Sequence, residues 1–354
     1  MQRRGLKIGE LESRYPLIQG GMGVGISLSG LAGAVAAAGG IGIISTAQIG
    51  YREKDYDTNP LQANLRAIGK EIHKAREIAN GGIIGVNIMV ATQHYEEYVK
   101  EACRQGADLI ISGAGLPVSL PEMAQETKLA PIVSSAKAAS VICKMWDRKY
   151  HRIPDLVVIE GPEAGGHLGF SREELDLYSK QSYDSEITKI FDVIKKFEQK
   201  YETKIPIAVA GGIYNKEKAD HYFEMGADAV QVATRFVTTE ECDAAPEYKK
   251  AYLDAKKEDI VIVKSPGGMP GRAIKNKFME ACMAGNSPKP GKCHQCIITC
   301  KRDTMPYCIT DALVNAAKGN IDEALLFCGA QAWRAEKIET VQQIMDEFFP
   351  NEIK

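Results

Sequence analysis

The sequence from residue 208 to residue 236 reads AVAGGIYNKEKADHYFEMGADAVQVATRF, and it shows how most of the chain is organised. A short apolar run ends in Gly211-Gly212, a polar stretch of helical character follows, and a second apolar run ends in Ala233-Thr234. A continuous apolar run is typical of a parallel strand covered on both faces. The stretch therefore predicts a strand, a helix and a second strand, with glycine where the first strand ends.

The same unit recurs from residue 15 onward. The apolar runs predict eight strands: Tyr15–Gln19, Ile41–Ser45, Ile83–Met89, Asp108–Ser112, Ala130–Ser134, Leu156–Glu160, Ile205–Ala210 and Ala229–Ala233. The segments between them predict helices: Leu28–Ala38, Leu61–Ala79, His94–Gln105, Pro121–Lys128, Lys137–Trp146, Glu186–Lys200 and Lys216–Met225. This alternation indicates an α/β fold, a TIM (β/α)8 barrel. An open doubly wound sheet is the alternative, because periodicity alone cannot close a sheet.

The pattern changes after Thr234. The remaining sequence has helical stretches and a loop rich in Gly, Pro and Lys, without another apolar run of comparable strength. We expect residues 1–239 to form the barrel and residues 240–354 to form a C-terminal helical cap region beside its mouth.

Composition narrows the class of function. The 354 residues include 44 basic and 46 acidic side chains, which give a net charge of -2. A charge this close to zero does not indicate binding to nucleic acid or to an anionic membrane. The opening MQRRGLKIGELESRYP has no apolar core, so we expect neither a signal peptide nor a membrane anchor. These features predict a cytoplasmic protein without a nucleic-acid or membrane partner, and they leave a small-molecule substrate and a homodimer open.

Glycines mark one face of the predicted barrel. Functional groups of such barrels lie where the strands end, and glycines follow the first, fourth, sixth and seventh strands here. Glycine lets the backbone approach a bulky ligand closely. Backbone N–H groups after the last two strands commonly hold a phosphate, which predicts phosphate binding by Gly211, Gly212, Ala233 and Thr234. A tight turn at Gly211-Gly212 is the simpler alternative.

Four of the nine cysteines lie close together, as Cys293, Cys296, Cys300 and Cys308. On a helix the first three would share a face and could form an apolar stripe. Their surroundings are polar, however, and four thiolates at this spacing can bind a [4Fe–4S] cluster or Zn²⁺. We therefore predict a metal site in the Cys-rich segment 293–308, with the apolar stripe as the alternative.

Several ordered motifs resemble one enzyme family. They are QGGM (19–22), GVNIM (85–89), SGAGLP (112–117), EGPEAGGHLG (160–169), AGGI (210–213), GADAVQVATRF (226–236) and GRAIKN (271–276). Together they resemble the nitronate monooxygenase family, formerly called 2-nitropropane dioxygenases, which includes the FMN-dependent enoyl-acyl-carrier-protein reductase II. The resemblance implies a TIM barrel that holds FMN non-covalently.

The resemblance also implies roles for single residues. Gly21 and Met22 would line the flavin, Asn87 would hydrogen-bond it, and Gln231 would lie near its ring or ribityl chain. The other residues expected near the cofactor are Gly113, Lys137, Glu163 and Gly166, beside the four predicted phosphate ligands. Lys137 could neutralise flavin or substrate charge, or could be a solvated lysine at a helix start. Glu163 could orient a histidine or cap a turn.

His167 is the predicted catalytic residue. It follows a glycine pair at the end of the sixth strand, and we expect that pair to be mobile enough to let the imidazole enter the cleft. An ordinary histidine pKa of about 6.5 allows proton transfer near neutrality. The resemblance implies a base that removes the α-proton of a nitroalkane, or a group that assists reduction of an enoyl thioester.

Three functions stay open at this point. The first is an FMN-dependent monooxygenase that oxidises alkyl nitronates with O₂ and uses His167 as base. The second is an NAD(P)H-dependent enoyl reductase on the same scaffold, for which the basic residues of 271–276 would suit a carrier phosphate or nicotinamide. The third is a non-catalytic flavin-binding redox sensor. A bound iron–sulfur cluster would imply an oxygen-poor setting and weaken the first.

Overall fold

Eight parallel strands close a barrel in residues 5–350, the part of the chain described by the computed structural model. The opening segment is described from Gly5 onward; residues 1–4 lie outside this range, as do residues 351–354. The strands are β1 (Lys7–Ile8), β2 (Leu11–Glu12), β3 (Leu17–Gln19), β4 (Ile41–Ser45), β5 (Ile83–Met89), β6 (Leu109–Gly113), β7 (Lys128–Val133), β8 (Val157–Glu160), β9 (Gly166–His167), β10 (Ile207–Ala210), β11 (Ala229–Val232), β12 (Ile260–Lys264), β13 (Pro270–Ile274) and β14 (Leu326–Phe327).

The barrel order is β3-β4-β5-β6-β7-β8-β10-β11, and β11 pairs with β3 to close the ring. All eight predicted strands are present in this barrel, with ends that differ by one or two residues. The TIM barrel prediction is therefore confirmed, and the open doubly wound sheet is wrong. The sequence could not separate these two folds because closure depends on strand tilt and stagger rather than on hydrophobic pattern.

Helices pack around the barrel and above it. The α-helices are α1 (Ser29–Ala37), α2 (Pro60–Ala79), α3 (Tyr95–Arg104), α4 (Leu120–Met123), α5 (Ala136–Tyr150), α6 (Arg172–Tyr178), α7 (Asp184–Tyr201), α8 (Lys216–Met225), α9 (Thr234–Val237), α10 (Pro246–Asp254), α11 (Lys277–Met283), α12 (Ile309–Lys318) and α13 (Val341–Phe348). Single 3₁₀ turns occur at Ile49–Arg52, Lys257–Asp259, Arg302–Thr304, Ile321–Glu323 and Ala332–Arg334. No helix within residues 5–350 combines the length and the apolar content that a membrane crossing requires.

The hydrophobic core has two layers. Inside the barrel, inward-facing side chains such as Ile43, Ile111 and Val158 form one cluster, which the β1–β2 hairpin closes at the N-terminal end with Leu6 and Ile8. A larger cluster lies between the strands and the surrounding helices. Burial on both faces explains why the barrel strands are continuously apolar.

The region after β11 differs from the expected helical cap. Besides helices it contains β12, β13 and β14, which join β9 in a four-stranded antiparallel sheet. The sequence predicted no further strand of strength comparable to the barrel strands, and the structure adds these three strands to the expected helices. Ile260–Lys264 is half-buried over most of its length, so its sequence lacked the fully buried character of the barrel strands. The division of the chain at residue 239 stays a prediction.

The last helix returns to the barrel. Val341, Ile344, Met345 and Phe348 of α13 belong to the same cluster that surrounds the barrel strands. Phe349 stacks on Tyr15 with the ring centroids 4.8 Å apart. The segment between α9 and α13 is therefore spatially an insertion that covers the barrel mouth.

One predicted helix is much shorter than expected. Of Pro121–Lys128, the structure has helix only through Met123, and Lys128 already belongs to β7, where it pairs with Leu109. The helical periodicity of this segment is overridden because the strand must extend to its partner in the barrel.

Asp243 joins the cap to the barrel layer. Its carboxylate accepts hydrogen bonds from the backbone N–H groups of Leu28 at 2.7 Å and of Gly30 and Leu31 at 3.1 Å each. These are the groups that the start of α1 leaves without helical partners. Because no side chain of α1 itself caps that end, the carboxylate supplied from distant sequence fixes where the helix begins.

We expect Asp243→Ala to lower the free energy of unfolding by about 2 kcal/mol, because several buried donors would lose their acceptor. Urea unfolding followed by circular dichroism measures this. Asp254→Ala removes an exposed carboxylate that pairs with Lys250 at 2.6 Å, and this control should cost about 0.5 kcal/mol or less. Equal losses in the two variants would contradict the capping role.

Candidate active site

A cavity of about 420 Å³ opens at the C-terminal ends of the barrel strands. Its lining combines strand-end residues of the barrel with residues of the cap, including Met269, Leu313 and Phe327. The lining also contains the following residues predicted near the cofactor: Gly21, Met22, Asn87, Gly113, Glu163, Gly166, Gly211, Gly212, Gln231, Ala233 and Thr234. His167 lines the same cavity.

Lys137 is the predicted cofactor residue that lies elsewhere. It is the second residue of α5 and is exposed to solvent. Within the described chain, no lysine or arginine lines the cavity. Lys137 therefore corresponds to the alternative of a solvated lysine at a helix start.

The glycines after β10 adopt backbone conformations that favour glycine. Gly211 has φ of +101° and Gly212 has φ of +72°, a region that other residues enter only at a cost. A Cβ on Gly212 would also collide with the side chain of Glu163. The chain at this point can therefore pass close to a ligand without a side chain between them.

Gln231 is positioned to bind a ligand. It lies in β11, lines the cavity, and its Oε1 atom is buried without a hydrogen-bond partner in residues 5–350. A buried acceptor without a partner is costly, and native structures seldom leave one. The orphaned oxygen and the glycine backbone thus fit a bulky ligand with hydrogen-bond donors, such as a flavin.

Glu160 is a half-buried carboxyl at the end of β8. It lines the cavity and makes no hydrogen bond or ion pair with the described part of the chain. Burial raises the pKa of Glu160 from its ordinary value of 4.5 to about 7. The carboxyl can therefore change its charge near neutral pH. Glu160 was not predicted from the sequence, because a glutamate at a strand end gives no signal of its own.

His167 lies in a short strand. Gly166-His167 forms β9, which pairs with β13 through Gly271↔His167 and Arg272↔Gly166. The cap thus supplies a partner strand for Gly166 and His167 that the sequence of the barrel could not reveal, and the mobility of the glycine pair stays a prediction.

The imidazole of His167 is held by two side chains of the cap. Its Nε2 lies 2.7 Å from Oγ of Ser265, and its ring packs edge-on against Phe327 with centroids 5.1 Å apart. Burial lowers the pKa of His167 from 6.5 to about 4, because the charged form loses its hydration. The histidine is consequently neutral at neutral pH.

Glu163 and Arg272 hold the loop that precedes His167. Glu163 accepts a hydrogen bond from Gln331 at 3.1 Å rather than from the imidazole. The guanidinium of Arg272 donates to the backbone carbonyls of Pro162, at 3.0 Å, and Ala164. Arg272 was expected to suit a carrier phosphate or nicotinamide, but these contacts engage it with the chain's own backbone.

The four cysteines of segment 293–308 do not form the predicted metal site. Cys293 and Cys300 are exposed, whereas Cys296 packs against the hydrophobic cluster that contains Val263 and Phe278. Among the residues that the structure describes, no group of three or more His, Cys, Asp or Glu side chains is arranged to hold a metal ion. The structure therefore does not support the predicted [4Fe–4S] or Zn²⁺ site, and the four cysteines are free thiols in it.

Sequence reasoning missed the cap residues of the site, above all Ser265 and Phe327. They come from the β12–β13 turn and from β14, which follow the barrel by tens of residues and carry no strand-end glycine signal. The apolar sequence IVIVK at Ile260–Lys264 is the signal from which a strand in this region could have been predicted.

A (β/α)8 barrel whose mouth encloses a glycine-lined cavity with one half-buried histidine defines the class of cofactor-binding TIM-barrel enzymes. Residues 5–351 match the family model described as nitronate monooxygenase. The chain belongs to this family, and it is an oxidoreductase of the kind that uses FMN.

Named relatives and solved structures agree with this membership. A probable nitronate monooxygenase from Staphylococcus saprophyticus is 25% identical over 295 residues, which cover 77% of this chain and 79% of the relative. One from Staphylococcus aureus strain Newman is 26% identical, covering 76% and 78%. FabK from Thermotoga maritima has a TM-score of 0.71 at 24% identity and covers 96% and 92% of the chains. A nitroalkane oxidase from Streptomyces ansochromogenes has a TM-score of 0.71 at 19% identity and covers 95% of each chain. The two structures show the same fold.

We expect Glu160→Gln to stabilise the flavin-stripped protein at pH 8 but not at pH 5. A folded pKa of about 7 against 4.5 when unfolded means that the folded state binds the proton more tightly. The free energy of unfolding of the wild type should therefore fall as the pH rises through 7. The glutamine variant should not show this decrease, because its side chain does not titrate.

Thermal unfolding at the two pH values measures the effect. The variant's melting temperature should exceed that of the wild type by roughly 3 °C at pH 8. Glu224→Gln, at an exposed position of α8, is the control and should show no such difference. A pH-independent difference for Glu160→Gln would contradict the raised pKa.

Proposed function

We propose that the protein is an FMN-dependent oxidoreductase of the nitronate monooxygenase type that oxidises alkyl nitronates, with His167 as its catalytic residue. The observation that carries this proposal is the convergence of His167, the buried unpartnered Oε1 of Gln231 and the positive-φ glycines on one cavity. Bound FMN would supply the transfer of electrons from substrate to O₂.

The residues that would hold the cofactor follow from the cavity. Gly211, Gly212, Ala233 and Thr234 are proposed to surround its phosphate, and Gln231 and Asn87 are proposed to hydrogen-bond its ring or ribityl chain. The side-chain amide of Asn87 donates a long hydrogen bond of 3.4 Å to the carbonyl of Ile111. The same amide can therefore also hydrogen-bond a ligand. Gly21, Met22, Gly113 and Gly166 would line the flavin, with Glu163 behind the phosphate loop.

An enoyl reductase is the second candidate. A solved enoyl reductase domain of MlnA from Bacillus amyloliquefaciens has a TM-score of 0.70 and covers 98% of this chain at 14% identity. The apolar side chains of Met269, Leu313 and Phe327 in the cavity lining would suit the acyl part of an enoyl thioester. In that case NAD(P)H would be the electron donor and an acyl carrier could bring the substrate.

Turnover of purified protein tests the proposal. We expect yellow protein that retains FMN and consumes O₂ with ethyl nitronate. His167→Ala should keep the flavin absorbance but lower kcat/KM by about 100-fold or more, because it removes the polar group at the reacting centre. His221→Ala is the control, since His221 pairs with Asp184 outside the cavity, and it should keep full activity.

A parallel assay decides among the candidates. Faster NAD(P)H oxidation with crotonyl thioester than O₂ uptake with nitronate would favour the enoyl reductase. Bound flavin with no turnover in either assay would favour a flavin-binding redox sensor. Protein that stays colourless after incubation with excess FMN would contradict all three.

A further inference from the structure

The imidazole of His167 has one nitrogen engaged by the protein and one open to the cavity. Nε2 lies 2.7 Å from Oγ of Ser265. Nδ1 has no hydrogen-bond partner in residues 5–350, and it is not among the enclosed unpaired atoms. Because His167 lines the cavity, Nδ1 is the nitrogen that a substrate can reach.

The direction of the Ser265 hydrogen bond follows from the other partner of its hydroxyl. Oγ of Ser265 accepts a hydrogen bond from the backbone N–H of Gly267 at 3.3 Å. Ser265 is only 2% exposed, and within the described residues Nε2 of His167 is the acceptor available to its hydroxyl proton. If Nε2 donated instead, this buried hydroxyl would have no acceptor, which disfavours that arrangement by about tenfold or more.

A tight turn fixes the position of Ser265. Its backbone N–H donates to the carbonyl of Met269 at 3.2 Å, and its carbonyl accepts from Gly268 at 2.9 Å. Gly268 has φ of +89°, which this turn requires. The turn connects β12 to β13, the strand that pairs with His167. Donor and acceptor are thus held by one antiparallel sheet.

We propose that Ser265 holds neutral His167 in the tautomer that carries its proton on Nδ1, so that the imidazole donates a hydrogen bond to a substrate oxygen. Ser265 is then a positioning residue that acts through His167. The inference rests on the proposed function and revises the role of base that the resemblance implied. A nitronate oxygen or a thioester carbonyl can accept this hydrogen bond, whereas a protonated Nδ1 has no free lone pair with which to remove the α-proton of a nitroalkane.

The electrostatic setting agrees with this role. Burial lowers the pKa of His167 to about 4, so the neutral ring predominates at pH 7. A neutral imidazole with a lowered pKa is an established way to polarise a substrate oxygen in enzymes. Nitronates are already deprotonated, so their oxidation needs no base at this position.

Nitrogen NMR of protein labelled with ¹⁵N-histidine tests the tautomer directly. In the holoenzyme at pH 7 we expect His167, assigned by its loss in His167→Gln, to show a protonated Nδ1 and an unprotonated Nε2. Ser265→Ala should shift this residue to a mixture of tautomers, and Ser265→Thr should restore the wild-type pattern. A wild-type His167 protonated on Nε2, or a pattern unchanged in Ser265→Ala, would overturn the proposal.

Initial rates give a second readout. The wild type should use preformed ethyl nitronate with a kcat/KM at least about 100-fold above that for nitroethane. Ser265→Ala should lower kcat on the nitronate about tenfold with KM little changed, and Ser265→Thr should recover most of it. Ser179→Ala, on the surface after α6, is the control. A wild type that prefers nitroethane would overturn the proposal.

The two measurements separate the proposals from each other. The NMR pattern does not require turnover, so the expected tautomer without any nitronate oxidation would leave the Ser265 proposal standing while the proposed function fails. Nitronate oxidation with the opposite tautomer would sustain the function and overturn the role of Ser265.

Discussion

The pairing of β9 with β13 is the interaction on which the geometry of the site depends. Two residues of a barrel loop, Gly166 and His167, become the edge of a sheet whose other strands belong to the cap. The pairing continues on both sides, because Leu168 donates to the carbonyl of Pro270 at 2.9 Å and Cys328 donates to that of Arg272 at 3.0 Å. Backbone hydrogen bonds of this kind fix a residue's position more firmly than side-chain contacts on a loop.

This constraint explains why the histidine is a neutral group with a defined orientation. The sheet places the imidazole beneath the turn that carries Ser265 and against Phe327, where the lost hydration lowers its pKa. The barrel contributes the complementary half of the cavity, with the glycines after β10 and the amide of Gln231. The barrel thus offers a binding surface for a cofactor, and the cap sets the chemistry of the residue that faces the substrate.

The sequence predicted the barrel half of the site and not the cap half, for a physical reason. Strand-end glycines and buried strands leave local signals, so the eight strands were predicted, and all but one of the predicted cofactor residues line the cavity. Ser265, Phe327 and the contacts of Arg272 depend on pairing between segments about a hundred residues apart, which no local pattern encodes. The metal site predicted from the cysteine cluster is not supported for the converse reason, because close spacing in sequence does not by itself arrange thiols as metal ligands. Lys137 likewise follows a strand end, but the start of α5 leaves it exposed.

Hydrogen exchange in an Arg272→Met variant tests most directly whether the cap holds the His167 loop. The substitution removes the hydrogen bonds to the carbonyls of Pro162 and Ala164. Peptides that cover residues 161–168 should exchange about tenfold faster than in the wild type, while peptides of β10 and β11 stay unchanged. Arg172→Met removes an exposed arginine that bonds the carbonyl of Ile262 at 3.2 Å, and it serves as the control. Unchanged exchange in residues 161–168 of Arg272→Met would contradict the account.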